Sequence, residues 1–406
     1  MWKKEFDVEH IKSFEYVAIT AIIFFILGLI YQKPLAIVGM GMFVIFLTVY
    51  KIYDRSVGTK LQLKNEPRQV KLFPGEKASL RFEIENNSIF PLINGSCHLQ
   101  LGSSIYAYTL VKKEKQYWEP LSIPLSIIQS KTTVIDIPIE AKQRGVALIT
   151  NIRYTFPHLL SFSSISLKYM PSYQTEVIVF PKALPVSGVE QIFHSIPGTG
   201  RVNLSPFEDI QSPIGTRTYQ YSDPFYKINW KASAKSQQLQ TTEYEKVIDH
   251  SYVFVINIAN EYRTDMVRFN KMLEDYLSYT AYLCEYTFHH NSPFEIFMNA
   301  RKPGSIPYIH LPEGEGKNHY ARSLELLARI SKQSLSVSFD KMLYQIGKQL
   351  VTPKTIIFVG DVPANLTQIT RNWKQKQVSL YQIIQMDEEQ AAYVKPLKKE
   401  VSQYAT

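Results

Sequence analysis

Residues 251–259 read SYVFVINIA, and the reading of this stretch decides the class of the C-terminal half. A strand with one wet face alternates apolar and polar residues. This run does not alternate, so it predicts a strand buried on both faces. A long helical pattern follows over 264–289, then PFEIFMNA (293–300) as a strand. Helical spacing recurs at 317–331 and 338–350. TIIFVGD (355–361) is a second buried-strand run, followed by a helix over about 364–375 and the strand VSLYQIIQ (378–385). Strands alternating with helices predict a mostly parallel sheet with helices on both faces. In such a sheet the ligand crevice lies at the carboxyl ends of the strands, here near Asn257 to Glu261 and Asp361.

Upstream the period changes to two. In VKLFPGEKASLRFEIENNS (70–88) a Pro-Gly turn precedes Leu80, Phe82 and Ile84, which alternate with Arg81, Glu83 and Glu85. That is a half-buried strand after a tight turn. Residues 132–156 repeat the style, with Val134, Ile135, Ile137 and Ile139 before an Arg144-Gly145 turn. YQTEVIVFPK (173–182) closes the series. Short strands with regular turns predict a β-sandwich over 57–182, and no His/Cys/Asp cluster marks chemistry in it. Residues 183–212 are rich in Gly, Pro and Ser and read as a linker. Gly198-Thr199-Gly200-Arg201 lacks the strand, Lys-Ser/Thr pair and helix of a phosphate cradle.

The N-terminal 56 residues carry two uncharged runs of sixteen, Tyr16 to Tyr31 and Leu35 to Tyr50, separated by Gln32-Lys33-Pro34. With Phe14 before the first run, and Ile52 and Tyr53 after the second, they predict membrane spans at about 14–31 and 35–53. Lys3, Lys4 and Lys12 precede the first run, and Lys51, Arg55, Lys60 and Lys64 follow the second, with Lys33 between. The positive-inside rule then predicts a multi-pass protein of the cell membrane with its N-terminus and large C-terminal region cytoplasmic. Across its 406 residues the chain has net charge +9 and two distant cysteines, Cys97 and Cys284, which exclude a disulfide scaffold.

Between linker and sheet lies GTRTYQYSDPFYKINWKASAKSQQLQTTEYE (215–245). Asp223-Pro224 signals a helix start. A helix from there would stack Lys227, Lys231 and Lys235 on one face, with Phe225, Ile228 and Ala232 on another. The stretch closely resembles the signature of the domain-of-unknown-function 58 family: a Gly-x-Arg-x-Tyr strand, an Asp-Pro turn, an Ile-x-Trp-Lys-Ala-Ser-Ala-Lys run, a Leu and a Glu. The matches are Gly215, Arg217, Tyr219, Asp223, Pro224, Ile228, Trp230, Lys231, Ala232, Ser233, Ala234, Lys235, Leu239 and Glu243. Asn229 stands where the family has His, and Ser222 where it has Gly. The resemblance implies a bacterial membrane-anchored protein, often encoded beside a MoxR-type AAA+ ATPase. It also implies a von Willebrand factor A-like α/β domain over 251–406. The segment 183–250 is then linker plus signature.

Many A domains hold Mg²⁺ with Asp-x-Ser-x-Ser after the first strand. Here Asn257, Ala259 and Glu261 stand at those positions, with Asp361 at the later acidic one. An amide and lost hydroxyls make the site degenerate, so no metal and no cofactor are expected. His289-His290 ends a predicted helix with no third ligand near. No catalytic motif appears, and an enzyme is not the expected class. The expected function is a membrane-tethered cytosolic adaptor or scaffold, docking a protein such as a MoxR-type ATPase through the signature and A-like domain. The alternatives are a nucleic-acid-binding protein using Lys227, Lys231 and Lys235 with Trp230, which a membrane hairpin disfavours, and a hydrolase without a recognisable motif. Oligomeric state is left open.

Overall fold

The computed structural model describes the chain except residues 1, 6–15, 17, 18, 27, 29, 31–33, 65–67, 108–119, 130, 162, 172, 174, 195–207, 247–250, 259–265, 305, 351–353, 364, 375–377, 386–391 and 398–406. The chain divides into two compact units, Met1–Lys182 with Leu324–Ser331, and Ala183–Ser323 with Lys332–Thr406.

The first unit is built on two sheets. One has four strands in the order Leu61–Leu63, Lys77–Asn86, Thr132–Ala141, Ile105–Ala107. The other has seven strands and centres on the long strand Gly145–Pro157. That strand pairs antiparallel with Leu92–Leu101, and also with Ser164–Tyr169 along its second half and Glu176–Val179 along its first. Alternation decides which side chains turn inward. Leu80, Phe82 and Ile84 are buried with Ile135, Ile137 and Ile139, their partners in the ladder or one step from them. They share one core with Cys97, Leu99, Tyr154, Phe156, Ile165 and Leu167 of the other sheet. Burial pushes the Cys97 thiol up to about 12, leaving it a packing residue.

The N-terminus departs from expectation. Trp2–Glu5 is a strand paired with Ser164–Tyr169, so Lys3 and Lys4 belong to a sheet. The second apolar run forms the helix Pro34–Ser56. Its last turns are built into the β core: Tyr53 is 2% exposed and Val57 fully buried. Tyr53 meets Phe90 edge-on at 4.9 Å, and Tyr50 stacks on His158 at 4.7 Å. Lys4 pairs with Asp54. By hydropathy Ile52 and Tyr53 extend the second span. Tyr53 instead packs inside the protein, and Lys51, Asp54 and Arg55 cut the apolar length. Among the described residues no helix is long and apolar enough to cross a membrane. The N-terminal transmembrane hairpin, the integral-membrane assignment and the multi-pass location with cytoplasmic ends are corrected accordingly. Phe14 lies outside the described residues. Val38, Met42 and Ile45 on the upstream turns are exposed, and nothing in the structure shows what covers them.

The second unit holds a seven-stranded sheet in the order Val186–Ser187, Ala392–Pro396, Ser379–Gln385, Lys354–Val359, Ser251–Ile256, Phe294–Arg301, Tyr308–Gly314. The four strands from Ser379–Gln385 to Phe294–Arg301 run parallel. Ala392–Pro396 and Tyr308–Gly314 flank them antiparallel. Every residue of Ser251–Ile256 is buried, as an unalternating run requires. Val253, Val255, Ile356 and Phe358 pack under the helix Phe339–Gln349, through Met342, Leu343 and Ile346. On the opposite face Tyr252 stacks on Phe193, which meets Tyr286 of the helix Met266–His289. Phe294 meets His319 of the helix Gly316–Arg329 there as well. His289 closes the Met266–His289 helix and lies 3.9 Å from Glu285 one turn back, the position of an ordinary helix terminus.

Candidate functional site

The family-like segment forms an antiparallel hairpin, Glu208–Thr218 with Gln240–Lys246, and residues 219–239 are inserted at its tip. The insert starts from a charge network. Arg217 Nη1 and Nη2 donate to Asp223 Oδ2 and Oδ1, each at 2.7 Å. Arg217 Nε reaches Glu243 Oε1 at 3.2 Å, on the opposite strand. The main-chain N–H of Gln220 donates to Asp223 Oδ2 at 2.8 Å, and Tyr219 Oη donates to the Asp223 carbonyl at 3.0 Å. The guanidinium, then the Gln220 N–H, holds the Asp223 carboxyl down at about 2. A two-point Arg–carboxylate contact fixes orientation as well as distance. So Arg217, Tyr219, Asp223 and Glu243 come together, and they act as a frame.

The frame explains why no continuous helix follows Asp223-Pro224. The carboxylate that would have capped a helix is taken by Arg217. Pro224 has φ −65° and ψ 137°, and only a single 3₁₀ turn, Phe225–Lys227, follows before Ile228 becomes extended. Ile228 is buried and bridges to Thr241. A new helix, Trp230–Ser236, then starts at Asn229, whose side chain accepts from the Ala232 N–H at 2.9 Å. Seven residues are too few to be stable alone. Ser233 ties this helix down: its Oγ donates to the Asn229 carbonyl at 2.7 Å and accepts from the Gln240 N–H at 2.8 Å. Lys227 is therefore off the helix that carries Lys231 and Lys235, and the expected ladder of three is a pair. Gly215 pairs with Glu243, and a Cβ there would meet nothing within 4 Å.

What remains outside is aromatic and basic. Trp230 is 66% exposed, and Tyr221, Phe225 and Tyr226 are more exposed still. Of Phe225 and Ile228, which one continuous helix would set on the same apolar face, Ile228 is buried and Phe225 is exposed. Lys231 and Lys235 are exposed and Lys227 is half-buried. The stabilising residue that sequence reasoning passed over is Asn229, noted only as a departure from the family. Its signal was available: an Asn before a helical run is a cap.

At the carboxyl ends of the sheet strands, Asn257 and Asp361 do meet. Asn257 Nδ2 donates to the Asp361 main-chain carbonyl at 2.7 Å, while the Asp361 side chain stays exposed. Asn257 Oδ1 accepts from Asn299 Nδ2 at 2.8 Å, and Asn299 Oδ1 accepts from the Ile258 N–H at 2.7 Å. Asn299 Nδ2 also reaches the Val337 carbonyl at 3.3 Å. Amides joined to backbone thus fill the place where an A domain would gather carboxylates. Ala259 and Glu261 lie outside the described residues. Among the described residues no group of three or more His, Cys, Asp or Glu side chains could hold a metal ion. Asn299 was missed, although a polar residue near the end of a continuously apolar strand was its mark.

No protein-family model matches the chain, and no curated protein matches it in sequence. Solved structures align with parts of it. An α-2-macroglobulin from Salmonella, reacted with methylamine, is 16% identical over 30% of this chain and 7% of that one, with TM-score 0.19. A trypsin-activated α-2-macroglobulin from Escherichia coli is 14% identical over 33% of this chain and 9% of that one, with TM-score 0.20. The secreted serine protease VesC from Vibrio cholerae is 8% identical over 34% of this chain and 27% of that one, with TM-score 0.19. Each match thus covers about a quarter or less of the other protein's length, and none carries an argument about function.

Proposed function

We propose that the chain is a docking scaffold that presents the hairpin insert 219–239 to a partner protein. The observation that carries this reading is the exposure of Tyr221, Phe225, Tyr226 and Trp230 on a segment held by Arg217, Asp223 and Glu243. Rings left in water on a fixed frame lose little conformational freedom on binding, and Trp, Tyr and Arg dominate the energetics of protein interfaces. Tyr219, Pro224 and Ser233 shape the frame, while Trp230, Lys231 and Lys235 face the partner. The partner that the family resemblance supplies is a MoxR-type AAA+ ATPase. The test is a photocrosslinking amino acid placed at Tyr226 of the full chain in its native cells, with Lys332 as an exposed control outside the insert. An ATPase adduct from Tyr226 and none from Lys332 is expected. Absence of any protein adduct at Tyr226 would overturn the docking reading.

Rings beside lysines are also what a single-stranded nucleic acid would stack on. Against it, residues 208–246 contain five acidic and five basic residues, so the segment as a whole carries no net positive charge for a long phosphate backbone to follow. The protein-docking reading is preferred for that reason.

A further inference from the structure

We infer that the outward face of the Trp230–Ser236 helix binds an acidic protein segment that lays an apolar side chain against Trp230; this rests on the docking reading above. Successive helical residues turn by about 100°. Trp230, Ala234, Lys231 and Lys235 therefore fall on one arc of about 140°, and all four are exposed. Ser233, buried, and Ala232, half-buried, fall on the other side. The outward face is thus a ring and two ammonium groups, with a small Ala234 between them.

The sign of the partner follows from where the acids are. The helix has no acidic residue in its first turn and Lys235 in its last, and its sequence WKASAKS holds no carboxylate at all. Asp223 of the surrounding insert and Glu243 of the adjoining strand are engaged by Arg217. Among the described residues Lys231 and Lys235 have no carboxylate partner. Two lysines one turn apart repel each other, and a facing carboxylate relieves that repulsion. An acidic peptide surface with an apolar anchor meets both halves of the face.

The test uses the full chain and a fluorescein-labelled helical peptide of about 18 residues, roughly five turns, with Leu on one face and Glu on the other. A second peptide has Lys for every Glu, and the third probe is labelled oligothymidylate. Fluorescence anisotropy should show the Glu peptide binding and the Lys peptide not binding. Lys231→Glu with Lys235→Glu should weaken the Glu peptide by roughly tenfold or more and flatten its salt dependence. Trp230→Ala should weaken it and Trp230→Phe should restore much of the loss, while Lys332→Glu leaves binding unchanged. Equal binding of both peptides, or undiminished binding by the folded lysine double variant, would overturn the proposal. Preferential binding of oligothymidylate, lost in the same variants, would overturn it in favour of nucleic acid. If the Glu peptide fails while the Tyr226 crosslink persists, the acidic class falls and the docking reading stands; loss of the crosslink removes both.

Discussion

Replacing Asn299 tests whether the amide network is what closes the strand ends of the second unit. Asn299 is fully buried. In Asn299→Ala two buried groups, the Ile258 N–H and Asn257 Oδ1, and the half-buried Val337 carbonyl lose their hydrogen bond to Asn299. A buried group left unsatisfied costs about 1–3 kcal/mol. The two short contacts dominate, so the expected loss is about 3–5 kcal/mol with the longer third contact included. At about 1.4 kcal/mol per decade, that is a rise of roughly two to three and a half decades in the opening equilibrium and an equal fall in protection. Hydrogen exchange read by mass spectrometry on peptides spanning 251–258 reports it directly, because the Ile258 amide is one of the orphaned groups. Asn299→Asp sharpens the test. The introduced carboxylate still accepts from Ile258 but offers no proton to Asn257 Oδ1. Burial and the facing amide oxygen raise its folded pKa above the unfolded value of about 3.9. The penalty is therefore full at neutral pH and is relieved as pH falls through the raised folded value. Protection within about threefold of the parent chain in Asn299→Ala, less than about 0.7 kcal/mol, would refute this account. So would an Asn299→Asp penalty that does not change with pH.

Three further outcomes are expected. Burial raises the Glu295 carboxyl, but hydrogen bonds from His310 and Lys354, with their charges, outweigh it and hold the group below the usual carboxylate range; its stabilisation is present above the unfolded value and lost as pH falls through the folded one. Glu295→Gln should flatten the acid limb of a stability–pH curve, and an unchanged limb would count against the network. Trp230→Ala should shift stability by no more than about 0.5 kcal/mol because the ring is exposed, whereas Ile228→Ala, at a buried position, should cost about 2 kcal/mol or more; chemical denaturation of both variants decides, and the reverse order would show that the ring holds the insert. Mg²⁺ or Mn²⁺ should leave the melting temperature unchanged, since Asn257 is committed to Asp361 and Asn299; a saturable rise abolished by Asp361→Ala would restore a metal site there.

What sequence alone determined here is what depends on near neighbours. An apolar run such as 251–258 must be sheltered on both faces, and the alternation at 80–85 must present one face inward; burial follows both patterns residue by residue. Helical spacing at 338–350 answers to the helix Phe339–Gln349 for the same reason. The antiparallel strands Tyr308–Gly314 and Ala392–Pro396 were not legible, because strand pairing supplies their order and neither segment alternates cleanly. Hydropathy placed the end of the second apolar run in lipid, since it counts carbon and charge over a window. It cannot see that Tyr53 and Val57 close a β core formed by residues far along the chain. In the insert, Asp223-Pro224 is locally a helix start, and only the hairpin brings Arg217 and Glu243 to the spot where the carboxylate is claimed. Local propensity is worth a few tenths to about one kcal/mol per residue. A two-point charge-assisted contact or a buried ring outweighs it, and those partners are chosen by the tertiary fold.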